Sequence, residues 1–385
     1  MSLLSGVAAS LPWLVLPVVL YRRSMNATSA DYESSDVPAD PPLVTVIVPA
    51  RNEAENIARC VTSILGTNYP SLEVIVVNDH SDDRTAEIVG ELAQTDNRVR
   101  LFDSPQLPDG WFGKQWACQT GADQSKGPVL LFTDADTIHR PDSLVRAVNA
   151  MIRAQADLLS VLPRQRLESF WERVLQPQVF TLLAARFGGT EHVTHSPRKE
   201  DKLVNGQYLL VKKATYDSAG GHASVRGSAV DDLSLAQLFF SRGGKVVLTH
   251  GANSVSTRMY TSLGSVVRGW GKNIYAGVRL SFRKGPLRSV VYPSLLLLFF
   301  LFQLAPMAML IAGITGMTSS ATMVWSIVSV SCLLIWWTAV YMLMQVPPWH
   351  ALVFPVGAAV MLYICAGAIL RGRTVAWKGR VYRSE

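Results

Sequence analysis

Four short runs along the chain, VTVIV (44–48), EVIVV (73–77), VRLF (99–102) and VLLF (129–132), are β-branched and almost continuously apolar. Stretches of helical composition separate them. That alternation predicts an α/β fold with parallel strands buried on both faces. Ligands of such sheets sit beyond the carboxyl ends of the strands. The residues to read are therefore PARNE (49–53), NDHSDD (78–83) and DAD (134–136). Longer apolar runs lie outside this region, at 3–20 and at about 290–316, 322–344 and 351–370. The first is about long enough to span a bilayer and is followed by positive charge, as in an uncleaved anchor. The pattern divides the chain into an anchor (1–23), a polar linker (24–42), a soluble domain (43–285), about three membrane segments (286–370) and a basic tail (371–385).

Composition sharpens the membrane reading. Of the 385 residues, 49% are hydrophobic and the mean hydropathy is positive, +0.21, which places part of the chain in lipid. The net charge of +7 gathers at Arg22 and Arg23, from Arg283 to Arg288, and from Arg371 to Arg383. Those are membrane flanks, so no nucleic-acid partner is expected. Four dispersed cysteines, with no CxxC pair, signal neither a zinc site nor a disulfide framework. The basic tail conflicts with three full crossings, which would place it opposite a cytoplasmic soluble domain. Either one run does not cross, the first being suspect because Pro293 and Pro306 interrupt it, or the tail breaks the positive-inside tendency.

The three strand ends carry the candidate chemistry. In an extended LLFTDADT segment, Asp134 and Asp136 would face the same side, where a divalent cation, Mg2+ or Mn2+, would offset their repulsion and bridge to a diphosphate. The alternative is that Asp134 caps the next helix and Asp136 is solvated. Asp79 stands where Rossmann-like sheets place a carboxylate that binds ribose or base, although NDHSDD also reads as an Asx turn. Glu53 follows the first strand. GxGxxG and GxxxxGK[ST] are both absent, which argues against a dinucleotide or P-loop enzyme.

VIVPARNEAENI, VVNDHSDDRT and LLFTDADT, in that order, resemble the nucleotide-binding half of the family 2 glycosyltransferases, which have a GT-A fold; the likeness covers roughly residues 43–280. It implies a nucleotide pocket lined by Pro49, Arg51 and Glu53. It further implies that Asp79 contacts the base, Asp134 meets the ribose or sugar, and Asp136 holds the metal. In RGSAVDDLSLAQ (226–237), the likeness makes Asp232 the base of an inverting transfer, with Asp231 orienting it or the acceptor; acids favoured by a helix N-terminus are the competing reading. VVRGWGKNIYAG departs from the QxxRW motif of processive relatives, which favours a single transfer. There Arg268 and Lys272 would steady the diphosphate and Trp270 would pack on the acceptor, unless they form a juxtamembrane belt.

DGWFGKQWACQTGA (109–122) and WKGRVY (377–382) are similar to a bacterial branch with hopene-associated and diaponeurosporenoate glycosyltransferases. Lys114 would meet the diphosphate by charge or stand solvated. FWERVLQPQVFTLLAARFGG (170–189) would lie in the membrane interface or form an ordinary core helix. The expectation is an inner-membrane enzyme with a cytoplasmic catalytic domain, moving one sugar from a UDP-linked donor to a lipid acceptor. The alternatives are a polyprenyl-phosphate sugar transferase and a non-catalytic scaffold with the same fold.

Overall fold

The computed structural model describes residues 7–24, 28–282, 291–372, 374–377 and 380–383. These residues form two compact units, one built on a sheet (27–166, 190–259 and 373–385) and one helical (1–26, 167–189 and 260–372). The basic cluster at Arg283–Arg288 lies outside the described residues.

In the sheet unit, β1 (Val44–Ala50), β2 (Leu72–Asn78), β3 (Val99–Asp103) and β4 (Val129–Thr133) are the four apolar runs, mutually parallel in the order β3-β2-β1-β4. A short strand, β5 (Thr137–His139), follows the DAD turn, and the chain continues through β6 (Leu158–Leu162), β7 (Arg164–Gln165), β8 (Tyr208–Lys212), β9 (Val246–His250) and β10 (Val255–Thr257). The main sheet is extended by β8, β6 and β9, with β8 antiparallel to both β4 and β6. A small second sheet has the order β5-β10-β7.

Alternation along β1 explains its unbroken hydrophobicity, because each face has its own core. Val44, Val46 and Val48 pack with Ile57, Val61 and Ile64, whereas Ile47 faces Cys118, Ala122 and Leu235. Helix Gly113–Asp123 lies so close to the sheet that a Cβ at Gly121 would meet Ile47 Cγ2 at 2.5 Å.

The polar stretch read as a linker is bonded to this unit. Ser29 forms a parallel bridge with His250, Thr28 N donates to Thr190 Oγ1 (2.9 Å), and Ser254 Oγ donates to Asp31 Oδ1 (2.7 Å). After β10 and the helical unit, the tail returns as a hairpin of β11 (Thr374–Trp377) and β12 (Arg380–Arg383).

In the helical unit, Pro293–Ile314, Ser320–Leu343 and Pro348–Arg371 are each long and apolar enough to cross a membrane, and Val7–Arg22 is apolar but shorter. The expected interruption of the first run does not occur. Helix Val291–Ile314 runs through Pro306, whose lost N–H bond is tolerated inside an otherwise continuous apolar helix. Segment Phe170–Phe187 is a helix capped by Ser169 and Glu172, and it buries Gln176, Pro177 and Gln178 along with Val174 and Leu175. Gln178 Nε2 donates to the Phe354 carbonyl (3.3 Å), so this part of the helix packs inside the unit.

Candidate active site

The loops after β1 and β2 are stapled together. Asp79 N donates to Ala50 O (2.8 Å), Asp82 N to Asn52 Oδ1 (2.8 Å), and Asn52 N to Ser81 Oγ (3.0 Å). Asn52 and His80 both take positive φ, near 53° and 52°, as the sharp exits from the strands require. Arg51 Nη1 donates to the carbonyls of Asp79 (2.7 Å) and His80 (3.2 Å), so its guanidinium braces the second loop. Pro49 is the penultimate residue of β1. Glu53 N is held by Thr85 Oγ1 (2.8 Å), and its carboxylate accepts from Asn56 Nδ2 (3.1 Å). The Asx turn of NDHSDD is made by Asp83, whose Oδ1 accepts from Thr85 N (3.0 Å), while Asn78 Oδ1 accepts from Ser81 N three residues on (3.1 Å). Asp79 takes no part in it.

The DAD segment is not extended. Thr137 N and Thr137 Oγ1 both donate to Asp134 O, at 3.2 and 2.8 Å, closing a tight turn between β4 and β5. Turn geometry, not strand alternation, therefore presents the two acids. Behind them, Thr133, Thr137 and the buried His139 form a hydrogen-bonded layer, and burial pushes the His139 imidazole down to about 3, so it stays neutral.

Lys114, in the first turn of helix Gly113–Asp123, reaches Asp134 Oδ1 at 2.6 Å. Burial opposes its charge, but Asp134 and Asp231 outweigh that and hold the ammonium well above the ordinary lysine range. Among the described residues Asp136 forms no such ion pair. Burial, then Asp134 and Glu53, push it up to about 7 against the weaker opposing pull of Lys114, while Thr257 Oγ1 donates to its Oδ1 (3.2 Å). Among the described residues no three His, Cys, Asp or Glu side chains converge as a ready metal cage. The carboxylates nevertheless fit a divalent cation. Mg2+-like ions take one or two protein carboxylates and leave their other positions to phosphate oxygens and water.

Asp231 and Asp232 open helix Asp231–Ser241. Asp232 Oδ2 accepts from Gly206 N (3.0 Å) and Oδ1 from Leu233 N (2.8 Å). Burial and then Asp231 raise its pKa to about 6, against the opposing pull of Lys114. Lys114 thus bridges electrostatically from the DAD turn to this acid pair. Sequence reading gave no role to His222, which is buried, shares a 2.8 Å hydrogen bond with Tyr216 Oη, and is pushed by burial down to about 4. The GGH triplet was its signal: Gly221, at φ 53°, packs directly against the Tyr216 ring.

The profile of glycosyl transferase family 2 matches residues 45–218, the span that holds the stapled loops and the DAD turn. The chain carries a family 2 glycosyltransferase domain. Relatives of this glycosyltransferase domain include the 4,4'-diaponeurosporenoate glycosyltransferases of Staphylococcus aureus (strain USA300), 29% identical over 238 residues, and Staphylococcus haemolyticus (strain JCSC1435), 28% over 237. Each match covers 61% of this chain and spans 61% of the relative's length. The fold is that of the mannosyltransferase PcManGT from Pyrobaculum calidifontis, solved with GDP-Man and Mn2+, at TM-score 0.58 and 18% identity over 96% of this chain and 97% of that one. It is a GT-A fold.

The glycosyltransferase domain brings Glu53, Asp134, Asp136 and Lys114 into one electrostatic cluster, with Asp231 and Asp232 coupled to it through Lys114. Arg268 and Trp270 lie on helix Leu263–Leu280 of the helical unit. There the Trp270 indole is buried edge-on against Phe180 and Tyr260, with centroids 6.3 and 5.9 Å away.

Proposed function

We propose that the protein is a membrane-anchored, metal-dependent, inverting glycosyltransferase that moves one sugar from a UDP-linked donor to a lipid acceptor. The observation that carries this reading is the buried carboxylate of Asp136, crowded by Asp134 and Glu53, beside a Lys114–Asp134 pair at the sheet's carboxyl edge. A dication with a diphosphate satisfies both signs of charge there. The relatives named for a carotenoid acid, and three helices of membrane-spanning length, support a hydrophobic acceptor met at the bilayer.

Asp136, with Asp134, would hold Mg2+ or Mn2+, which when bound supplies charge to stabilise the departing diphosphate. Pro49, Arg51 and Glu53 shape the nucleotide pocket, Asp79 faces the base, and Lys114 offers its ammonium to the diphosphate. Asp232 accepts the acceptor hydroxyl's proton as that oxygen bonds to the anomeric carbon. The bond from that carbon to the phosphate oxygen breaks on the opposite face, and the nucleoside diphosphate leaves. A pKa near 6 leaves Asp232 mostly ionised at neutral pH yet basic enough for this task. Asp231 stands beside it and positions it.

The test is transfer of labelled sugar from a UDP-sugar panel, with Mn2+, into lipid extracts. Label in the lipid phase that chelation abolishes is expected. Turnover independent of metal, or transfer only to water, would contradict the reading.

A further inference from the structure

The C-terminal tail reaches the strand-end loops. Arg380, on β12, places Nη1 3.1 Å from Asp79 Oδ1 and 2.9 Å from Asp79 Oδ2, across 301 positions of sequence. The Asp79 side chain is only 4% exposed, so this ion pair is made largely out of water. Next to the pair, the Tyr382 ring stacks on Phe112, centroids 4.2 Å apart and planes within 18°. A Cβ on Gly113, the next residue, would overlap Asp79 Oδ2 and Arg380 Nη1, so a side chain there would displace the pair.

We propose that the tail completes the nucleotide site, with Arg380 binding the base together with Asp79. This rests on the reading above that Asp79 faces the base. A nucleobase edge sets an N–H donor beside a carbonyl or ring-nitrogen acceptor. A carboxylate and a guanidinium side by side offer the matching acceptor and donor. The carboxylate has about four lone-pair directions and the guanidinium five N–H donors, so their mutual contact leaves capacity for a ligand. The Tyr382 ring, partly exposed and backed by the buried Phe112, adds aromatic surface beside the pair, of the kind on which bases stack. Without Arg380, the buried Asp79 carboxylate would lose the guanidinium that fixes its orientation, which weakens its hold on an N–H donor.

The full-length protein in detergent supplies the test. Affinities for UDP with Mn2+ (or GDP with Mn2+ if that is the nucleotide bound) and for pyrophosphate with Mn2+ are compared in the wild type, Arg380→Ala, Arg380→Lys, Asp79→Asn and the double variant. Arg380→Ala is expected to lose roughly tenfold or more in nucleotide affinity. Pyrophosphate, which lacks a base, should bind as in the wild type. Arg380→Lys should recover part of the loss, and the double variant should be no worse than the weaker single one. Nucleotide affinity in Arg380→Ala equal to the wild type would make the contact a mere latch, and tighter binding would make the tail a plug; either overturns the proposal. Loss of both ligands together would make Arg380 a folding residue and also overturns it. A wild type that binds neither ligand would instead remove the donor-site reading on which the proposal stands.

Discussion

Lys114 Nζ sits 2.6 Å from Asp134 Oδ1, so one acid of the DAD turn is neutralised by the protein itself while Asp136 is left against Glu53 and Asp134. This asymmetry predicts opposite effects for metal and for nucleotide. Lys114→Met removes a cation from beside the carboxylates, so Mn2+ alone should bind more tightly. UDP in the presence of Mn2+ should bind about tenfold to a hundredfold more weakly, because a charged donor to the diphosphate is gone. Calorimetric titrations of each ligand separate the two signs. A parallel weakening of both would contradict this division of charge.

Asp136 also sets a pH dependence. With its pKa pushed up to about 7, protons compete with metal below that pH, and Mn2+ affinity should fall as pH drops through it, by up to about tenfold per unit. The metal-free protein should behave in the opposite sense. A carboxyl whose pKa is raised by folding contributes stability at low pH that is lost as pH rises toward 7. Melting temperatures at pH 5.5, 6.5 and 7.5, with and without Mn2+, should show the largest metal-induced rise at the highest pH. A metal effect that grew on acidification would count against the assignment.

Asp232 tests the nature of the acceptor. Asp232→Asn should lower turnover by about 100- to 10,000-fold while leaving nucleotide affinity unchanged, as expected for a general base. Steady-state transfer and nucleotide titration on the same preparation measure both. Unchanged turnover would indicate an acceptor that is already ionised, a carboxylate or a phosphate, and would rule out the hydroxyl mechanism.

The Arg380–Asp79 pair constrains membrane topology. A tail bonded to the sheet unit must lie on the same side of the bilayer as that unit, so an even number of crossings is expected between residues 259 and 374, both of that unit. The expected arrangement is that two of the three helices long enough to span cross the bilayer, or none does. Cysteines placed at the exposed Asp82 and Thr374 should be labelled by an impermeant maleimide from the same face of sealed vesicles. Labelling from opposite faces would require an odd number of crossings and would break the pair.

Much of the domain is legible in the sequence because its central strands are buried on both faces, which writes a nearly continuous apolar run into β1, β2 and β4. The loops that follow them were then fixed as the place to look, and Glu53, Asp134 and Asp136 do converge there. Less legible were features set by distant partners. The antiparallel β8 carries no local mark of its direction, since strand direction is decided by pairing with β4 and β6. Residues 28–36 look like a linker by composition, yet Asp31 accepts from Asn253 N (3.0 Å) and Ser254 Oγ. The DAD turn was anticipated as extended because side-chain alternation says nothing of the Thr137-to-Asp134 bond that closes it. No pattern in the sequence announces a bond between Asp79 and Arg380.

The central claim is that the Asp134–Asp136 turn holds a metal and a nucleoside diphosphate. Its most direct test is UDP and GDP binding to the purified full-length protein, with and without Mn2+, in the wild type and Asp136→Asn. The account predicts Mn2+-dependent binding of one nucleotide class, lost by about tenfold or more in the variant while the fold is retained. Folded protein that binds no nucleotide, or binds one equally well without metal and with Asn at position 136, would contradict it.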